Sequence, residues 1–217
     1  MSIRVLLVDD HQMFRDGLCA ILASQDGIEV VGEAGDGSSA VEMVASLTPD
    51  VVVMDIGMPG LNGVEATRQI KAKHPGVKVV ALSTHSDKRY VLSMLEAGAS
   101  GYVLKASAVD EMCRAVRAAA EGNRYLSPDI AGVVVDAHLG GPAQSAAPSS
   151  SLLGSMEREV LQLLAEGNSS PEIAQRLHIA TSTVESHRRN IMKKLDAHSI
   201  AELTRYAIRE GLTPLER

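Results

Sequence analysis

The stretch VVVMD, residues 51–55, decides the fold of this chain. Four consecutive apolar residues, three of them β-branched, predict a strand that is buried on both faces, as in a parallel sheet. Asp55 closes the strand and is therefore expected at the carboxyl edge of that sheet. Open α/β folds bind their ligands at this edge. The stretch thus predicts a parallel α/β sheet that carries a functional carboxylate.

Three further apolar runs end in polar residues in the same way. They are the run near 3–9, which ends in Asp9 and Asp10; the run near 78–83, which ends in Ser83; and the run near 101–104, which is followed by Lys105. Because parallel strands end at one edge, three carboxylates, a hydroxyl and an ammonium are expected to converge there. This set of groups suits Mg²⁺ binding and the acceptance of a phosphoryl group on Asp55.

Strand and helix patterns alternate five times between residue 3 and about residue 122. The predicted strands lie near 3–9, 30–34, 50–55, 78–83 and 101–104, and the predicted helices near 12–24, 37–46, 62–73, 87–97 and 107–121. The alternation predicts a parallel sheet with helices on both faces, in the flavodoxin-like strand order 2-1-3-4-5. A generic nucleotide-binding domain is disfavoured, because an acidic pair follows the first strand where a glycine-rich phosphate loop would stand.

The acidic residues would repel one another without a cation. We expect Asp10 and Asp55 to bind Mg²⁺ directly, Asp9 to act through a water, and the backbone carbonyl of Gly57 to complete the set. Each residue also has a simpler interpretation: the acidic pair could cap a helix, Asp55 could belong to a turn, and Lys105 could be a solvated lysine. Their coincidence at four strand ends favours the functional interpretation.

The chain beyond residue 124 has a different organisation. A short helix is predicted near 127–139, and residues 140–151 lack any apolar period and indicate a flexible linker. Four helices are then predicted near 155–166, 170–177, 181–195 and 199–210. The short second helix, tight turn and longer third helix are typical of a helix-turn-helix. The predicted domains are therefore residues 1–124 and 152–217, joined by residues 125–151.

The predicted helix at 181–195 has a polar face opposite its apolar stripe. Its candidate DNA contacts are Ser182, Thr183, Glu185, Ser186, Arg188, Arg189, Lys193 and Lys194. Arg189 can reach guanine O6 and N7, Glu185 can accept from a cytosine amino group, and lysines at the C-terminal end are expected to contact phosphates. An ordinary solvated helix face is the alternative, which the helix-turn-helix frame disfavours.

Composition constrains the class of protein more weakly. The net charge of −6 arises within residues 1–147, which carry 12 basic and 18 acidic residues, whereas residues 148–217 carry 9 of each. Bulk charge therefore gives no support for nucleic-acid binding, which rests on local patterning. The two cysteines have no partner motif and are expected in the core. The absence of a secretory signal and of a long apolar run predicts a cytoplasmic chain with no membrane association.

Four motifs resemble those of response-regulator receiver domains: DD at 9–10, MDIGMPGLNG at 54–63, ALSTH at 81–85 and GYVLK at 101–105. The resemblance implies that a sensor histidine kinase phosphorylates Asp55 and that Asp9 and Asp10 bind the metal. It further implies that Ser83 and Tyr102 are switch residues and that Lys105 binds the phosphoryl group. Two positions depart from the pattern: Gly57 offers no side chain beside the phosphosite, and Ala106 stands where many receivers have proline.

Residues 157–195 resemble the LuxR-type helix-turn-helix of NarL/FixJ regulators. The resemblance implies that 181–195 is the recognition helix and that 199–211 helps the domain to dimerise on DNA. Gly154 and Met156 replace the usual threonine and arginine, so a weaker helix cap is expected. The chain is thus predicted to be a phosphorylation-controlled, dimerising transcription factor and not an enzyme. A phosphatase would need an acid at Gly57, and a switch acting only through protein partners would lack a recognition helix.

Overall fold

The computed structural model of the protein describes residues 2–84, 86–107, 109–139, 152–210 and 212–213. The chain divides into two compact units, residues 1–140 and residues 141–217. The predicted linker at 140–151 and the motif histidine at 85 lie outside the described residues. Each unit is described separately below.

The first unit is a parallel sheet whose strands are ordered β2-β1-β3-β4-β5-β6. The strands are β1 (Ile3–Val8), β2 (Ile28–Ala34), β3 (Val51–Asp55), β4 (Lys78–Ser83), β5 (Gly101–Leu104) and β6 (Tyr125–Leu126). The helices are α1 (Gln12–Ala23), α2 (Gly37–Leu47), α3 (Gly63–Lys73), α4 (Lys88–Glu96), α5 (Val109–Ala120) and α6 (Pro128–Leu139). The predicted flavodoxin-like order of the first five strands is confirmed.

The sixth strand was not predicted from the sequence. Tyr125 pairs with Gly101 and Leu126 with Tyr102, so β6 extends the sheet beyond β5 by two residues. The amide of Ser127 then donates to the carbonyl of Tyr102 at 3.1 Å, immediately before α6 begins. A segment of this length carries no measurable period, because strand alternation needs at least four residues to be recognised.

Both faces of the sheet are covered, which explains the unbroken apolar runs in β1 and β3. Alternate residues of each strand enter different cores, as the two-residue period of a strand requires. Leu6 and Val8 of β1 pack with residues of α2, α3, α4 and α6, whereas Val5 and Leu7 pack with residues of α1 and α5. Cys113 is buried in the second core, Cys19 is half-buried, and both are free thiols.

Short polar caps and one close backbone approach define the loops at the carboxyl edge. Asp36, Asn62 and Asp87 accept backbone amide hydrogen bonds at the starts of α2, α3 and α4. Gly63 opens α3 directly against the end of β3, where a Cβ atom would lie 2.0 Å from the carbonyl oxygen of Asp55. Glycine is therefore required there for the start of α3 to approach the end of β3.

The second unit is helical, with α7 (Ser155–Ala165), α8 (Ser170–Arg176), α9 (Thr181–Leu195) and α10 (Ile200–Arg209). The predicted four-helix arrangement is confirmed, and α9 has the predicted bounds. Val184 and Ile191 of α9 are buried in the core of this unit, as their shared stripe predicted. Among the described residues of both units, no helix is long and apolar enough to cross a membrane.

Candidate functional site

The predicted polar residues converge at the carboxyl edge of the first unit. Asp9 follows β1 and is wholly buried, while Asp55 ends β3 with 4% of its surface exposed. The Nζ atom of Lys105, which follows β5, lies 2.7 Å from Oδ2 of Asp9 and 3.0 Å from Oδ2 of Asp55. One ammonium therefore bridges two buried carboxylates that would otherwise repel each other.

The same pocket contains a further potential metal ligand, His11, which was not predicted from the sequence. Ligand atoms of Asp9, Asp10, His11 and Asp55 all lie within 4.8 Å of one another. Three of these residues offer carboxylate oxygens, the donors that a hard divalent cation prefers. Nδ1 of His11 lies 2.9 Å from Oδ1 of Asp10. The one sequence feature that could have indicated His11 as a ligand is its position directly after Asp9 and Asp10.

Burial and charge act in opposite directions on Asp55. Burial raises the pKa of the Asp55 carboxyl, the ammonium of Lys105 lowers it, and the carboxylate of Asp9 raises it again; the pKa lies above its ordinary value. Burial lowers the pKa of Lys105, but the carboxylates of Asp55 and Asp9 outweigh this effect and raise it. Lys105 consequently remains a fixed positive charge beside the Asp55 carboxyl.

The position two residues after Asp55 is open. The amide of Gly57 points at Oδ1 of Asp55 at 3.4 Å, and a Cβ built at Gly57 would have no heavy atom within 4 Å. A side chain at position 57 would therefore extend into open space. The proposed metal contact of the Gly57 carbonyl remains a prediction.

Ser83 and Tyr102 are both buried next to this pocket. Ser83, at the end of β4, is 1% exposed, and Tyr102 in β5 is 0% exposed. Burial raises the pKa of Tyr102 to about 12, although a side-chain hydrogen bond with Ser83 lowers it. The two residues assigned as switches by resemblance are therefore in contact, with the Tyr102 ring inside the core.

The eight predicted DNA-contact residues of α9 differ in their surroundings. Ser182, Thr183, Arg189, Lys193 and Lys194 are exposed, whereas Glu185, Ser186 and Arg188 are partly buried. Two of the eight already have partners from other helices. The hydroxyl of Ser170 in α8 donates to Oε1 of Glu185. Nζ of Lys194 lies 2.6 Å from Oε2 of Glu157 in α7.

Family models match both units. Residues 5–117 match the response regulator receiver domain, and residues 151–207 match the luxR family of bacterial regulatory proteins. The matched spans contain the acidic pocket and α9, respectively.

Relatives match this chain over nearly all of its length. The transcriptional regulatory protein LiaR of Bacillus subtilis (strain 168) is 42% identical over 97% of this chain and 99% of its own. The response regulator UvrY of Escherichia coli (strain K12) is 38% identical over 99% of this chain and 97% of its own. A solved LuxR-family response regulator from Aurantimonas sp. SI85-9A1 covers 64% of this chain and 99% of its own, with 38% identity and a TM-score of 0.61. The chain therefore belongs to the NarL/FixJ family of DNA-binding response regulators.

Proposed function

We propose that Asp55 is the phosphoacceptor through which a sensor histidine kinase controls DNA binding by this chain. The bridging of Asp9 and Asp55 by Lys105, at 2.7 and 3.0 Å, is the observation that carries the proposal. It combines a buried oxygen nucleophile with a fixed positive charge at the point where phosphoryl oxygens would lie.

The donor set fits Mg²⁺, which would be held by Asp9, Asp10 and Asp55 together with the Gly57 carbonyl. When bound, Mg²⁺ neutralises charge on the phosphoryl oxygens. A carboxylate oxygen of Asp55 forms the new bond to phosphorus as the bond from phosphorus to the histidine nitrogen of the kinase breaks. Lys105 stabilises the transferring group, and the Ser83 hydroxyl donates to one of its oxygens.

Helix α6 could transmit a conformational change from this pocket to the rest of the chain. Ile130 of α6 is 0% exposed and packs in the same core as Tyr90 and Met94 of α4 and Tyr102 of β5. Movement of Ser83 toward a phosphoryl group would disturb Tyr102, with which it shares a hydrogen bond, and hence the surface on which α6 packs. Because residues 140–151 follow α6, this contact supports transmission toward the DNA-binding unit.

In the second unit, the exposed face of α9 would enter the major groove, where Arg189 reads a base and Lys193 contacts phosphate. Phosphorylation would favour a homodimer, with α10 helping two copies to bind promoter DNA. We expect a protein with this role to act in the cytoplasm. We expect the chain to catalyse no reaction other than its own phosphorylation.

The test compares the wild-type chain with Asp55→Asn during incubation with acetyl phosphate. Intact-mass measurement should show one added phosphoryl group on the wild type alone, and chelation of Mg²⁺ should abolish it. Sedimentation and promoter binding should then change on adding beryllofluoride to the wild type and stay constant for Asp55→Asn. Equal mass gain in the variant, or gain without Mg²⁺, would refute the assignment.

A further inference from the structure

One basic residue of α9 is already held by an acidic residue of another helix. Nζ of Lys194, in the last turn of α9, lies 2.6 Å from Oε2 of Glu157 in the first turn of α7. Glu157 is 7% exposed, and the same oxygen accepts the amide of Gly154 at 2.8 Å. Glu157 thus joins two tasks: it caps α7 and it receives the ammonium of Lys194.

The chemistry of Glu157 suits a permanent ion pair. Burial raises the pKa of its carboxyl, but the hydrogen bonds from Lys194 and from the Gly154 amide lower it, and the lowering prevails. Gly154 has no side chain with which to cap α7, so Glu157 supplies the remaining half of a capping box. The hydrogen bond from the Gly154 amide therefore fixes the position of the Glu157 carboxylate that pairs with Lys194.

The adjacent lysine provides a contrast within the same turn. Lys193 is exposed and, within the described part of the chain, has no hydrogen bond or ion pair to another residue. Val184 and Ile191 anchor the body of α9 in the core, and the Lys194 ion pair links its last turn to α7. Two neighbouring lysines thus have different surroundings.

We propose that Lys194 is a positioning residue, which sets the orientation of the recognition helix through Glu157 and makes no contact with DNA phosphate. This assignment differs from the expectation drawn from the sequence, in which both lysines contact phosphate. It rests on the proposed role of α9 in the major groove. Lys193 keeps the phosphate contact.

The test uses the full-length chain in four forms: wild type, Lys194→Met, Lys193→Met and Glu157→Gln. Glutamine at 157 can still accept the Gly154 amide, so this variant removes the ion pair and retains the cap. Binding is measured over a salt series on a duplex selected by the wild type from a random pool, and on a scrambled duplex of the same composition. A double variant, Glu157→Gln with Lys194→Met, completes the cycle, and thermal unfolding confirms that each form is folded.

A positioning role predicts that Lys194→Met and Glu157→Gln each weaken selected-duplex binding by about three- to tenfold, the range expected for a partly exposed charged pair. The double variant should lose no more than either single variant, and the salt slope should stay at the wild-type value. Lys193→Met should instead lower the slope by about one unit and weaken both duplexes alike. Glu157→Gln discriminates best between the two roles. Loss of a negative charge would by itself strengthen DNA binding, whereas a positioning role predicts weaker binding.

A slope lowered by about one unit in Lys194→Met, with unchanged or tighter binding by Glu157→Gln, would overturn the inference and restore the phosphate contact. Arg189→Ala, measured in parallel, separates this failure from failure of the proposed DNA role of α9. If Arg189→Ala, Lys193→Met and Lys194→Met all left binding unchanged, α9 would not face DNA.

Discussion

The ammonium of Lys105 lies 3.0 Å from Oδ2 of Asp55, although 50 residues separate them in the chain. Each residue stands at the end of its own strand, and the parallel sheet brings the two ends together. The ring of Phe14 lies under the same ammonium, with its centroid 4.9 Å from Nζ. Lys105 is consequently held in position by these contacts, which would lower the reorganisation needed during the proposed phosphoryl transfer.

Asp55→Asn should stabilise the protein at neutral pH. Because the pKa of Asp55 is raised in the folded state, its ionisation destabilises the fold wherever the carboxyl is ionised in both states. We expect the variant to unfold about 2–4 °C higher, which is roughly 1 kcal/mol for a chain of this size. The difference should shrink as pH falls through the raised pKa toward the ordinary value of 3.8.

Calorimetry across a pH series measures this difference, with Asp26→Asn as the matched control. Asp26 is an exposed aspartate of the same unit, so its replacement should change the unfolding temperature little. A lower unfolding temperature for Asp55→Asn at neutral pH would show that the pairing with Lys105 outweighs burial.

Mg²⁺ should raise the unfolding temperature of the wild type, because a ligand that binds only the folded state stabilises it. Asp10→Asn should remove most of this shift, since it replaces a carboxylate within the 4.8 Å cluster by a neutral amide. Thermal unfolding with MgCl₂, against KCl of equal ionic strength, isolates the specific effect. An undiminished shift in Asp10→Asn would exclude that carboxylate as a ligand.

Gly63→Ala should damage both stability and phosphorylation. Its Cβ would lie 2.0 Å from the carbonyl oxygen of Asp55, so β3 or α3 must move, at about 1–3 kcal/mol or more. Gly76→Ala is the control, because a Cβ there meets no heavy atom within 4 Å. Denaturant unfolding and acetyl-phosphate labelling compare the two variants. Equal behaviour would mean that the loop before α3 adapts without displacing Asp55.

The strand ends could be predicted because their signal is local. The run before Asp55 is apolar throughout, as burial on both faces demands, and the polar residue that follows marks the sheet edge. β6 could not be predicted, since Tyr125 and Leu126 pair only through backbone atoms with β5. Nor could the packing of Ile130, which depends on where the edge of the sheet lies.

The second unit shows the same limit at the level of side chains. Helical periodicity placed Lys193 on the face opposite the core stripe and Lys194 beside that face, but a period locates a residue relative to its own helix only. The partner of Lys194 is Glu157, which is 37 residues away and belongs to another helix. Such a contact depends on how α7 packs against α9, and no pattern within either helix encodes it.

Ile130→Ala should weaken the link between α6 and the switch residues. Ile130 is 0% exposed, so its truncation should cost about 2–5 kcal/mol, whereas Val135→Ala on the same helix removes a half-exposed side chain and should cost under about 0.5 kcal/mol. If α6 transmits the signal, beryllofluoride should change promoter affinity less in Ile130→Ala than in Val135→Ala. An equal response in both variants, with Ile130→Ala folded, would show that the signal leaves the receiver elsewhere.

Arg189→Ala tests base readout by the recognition helix. The guanidinium is exposed, and in the free protein it lies along its own helix, with Nη2 3.3 Å from Oγ of Ser186 and Nε 3.4 Å from the carbonyl of Glu185. These distances are long for hydrogen bonds, so the side chain can leave them for guanine O6 and N7. Its removal should cost roughly 1–3 kcal/mol on the cognate duplex and relax discrimination at one base pair in each half-site.

The measurement compares cognate duplexes that carry each of the four base pairs at one position, because only base readout depends on which pair is present. Lys193→Met supplies the contrast, since loss of a phosphate contact weakens all sequences alike and lowers the salt slope by about one unit. Arg189→Ala should instead bring the four duplexes closer in affinity and leave scrambled DNA little changed. If it weakened cognate and scrambled duplexes by the same factor, Arg189 would be a phosphate contact, and specificity would have to come from other residues of the α9 face, such as Ser186 and the Glu185 carboxylate held by Ser170.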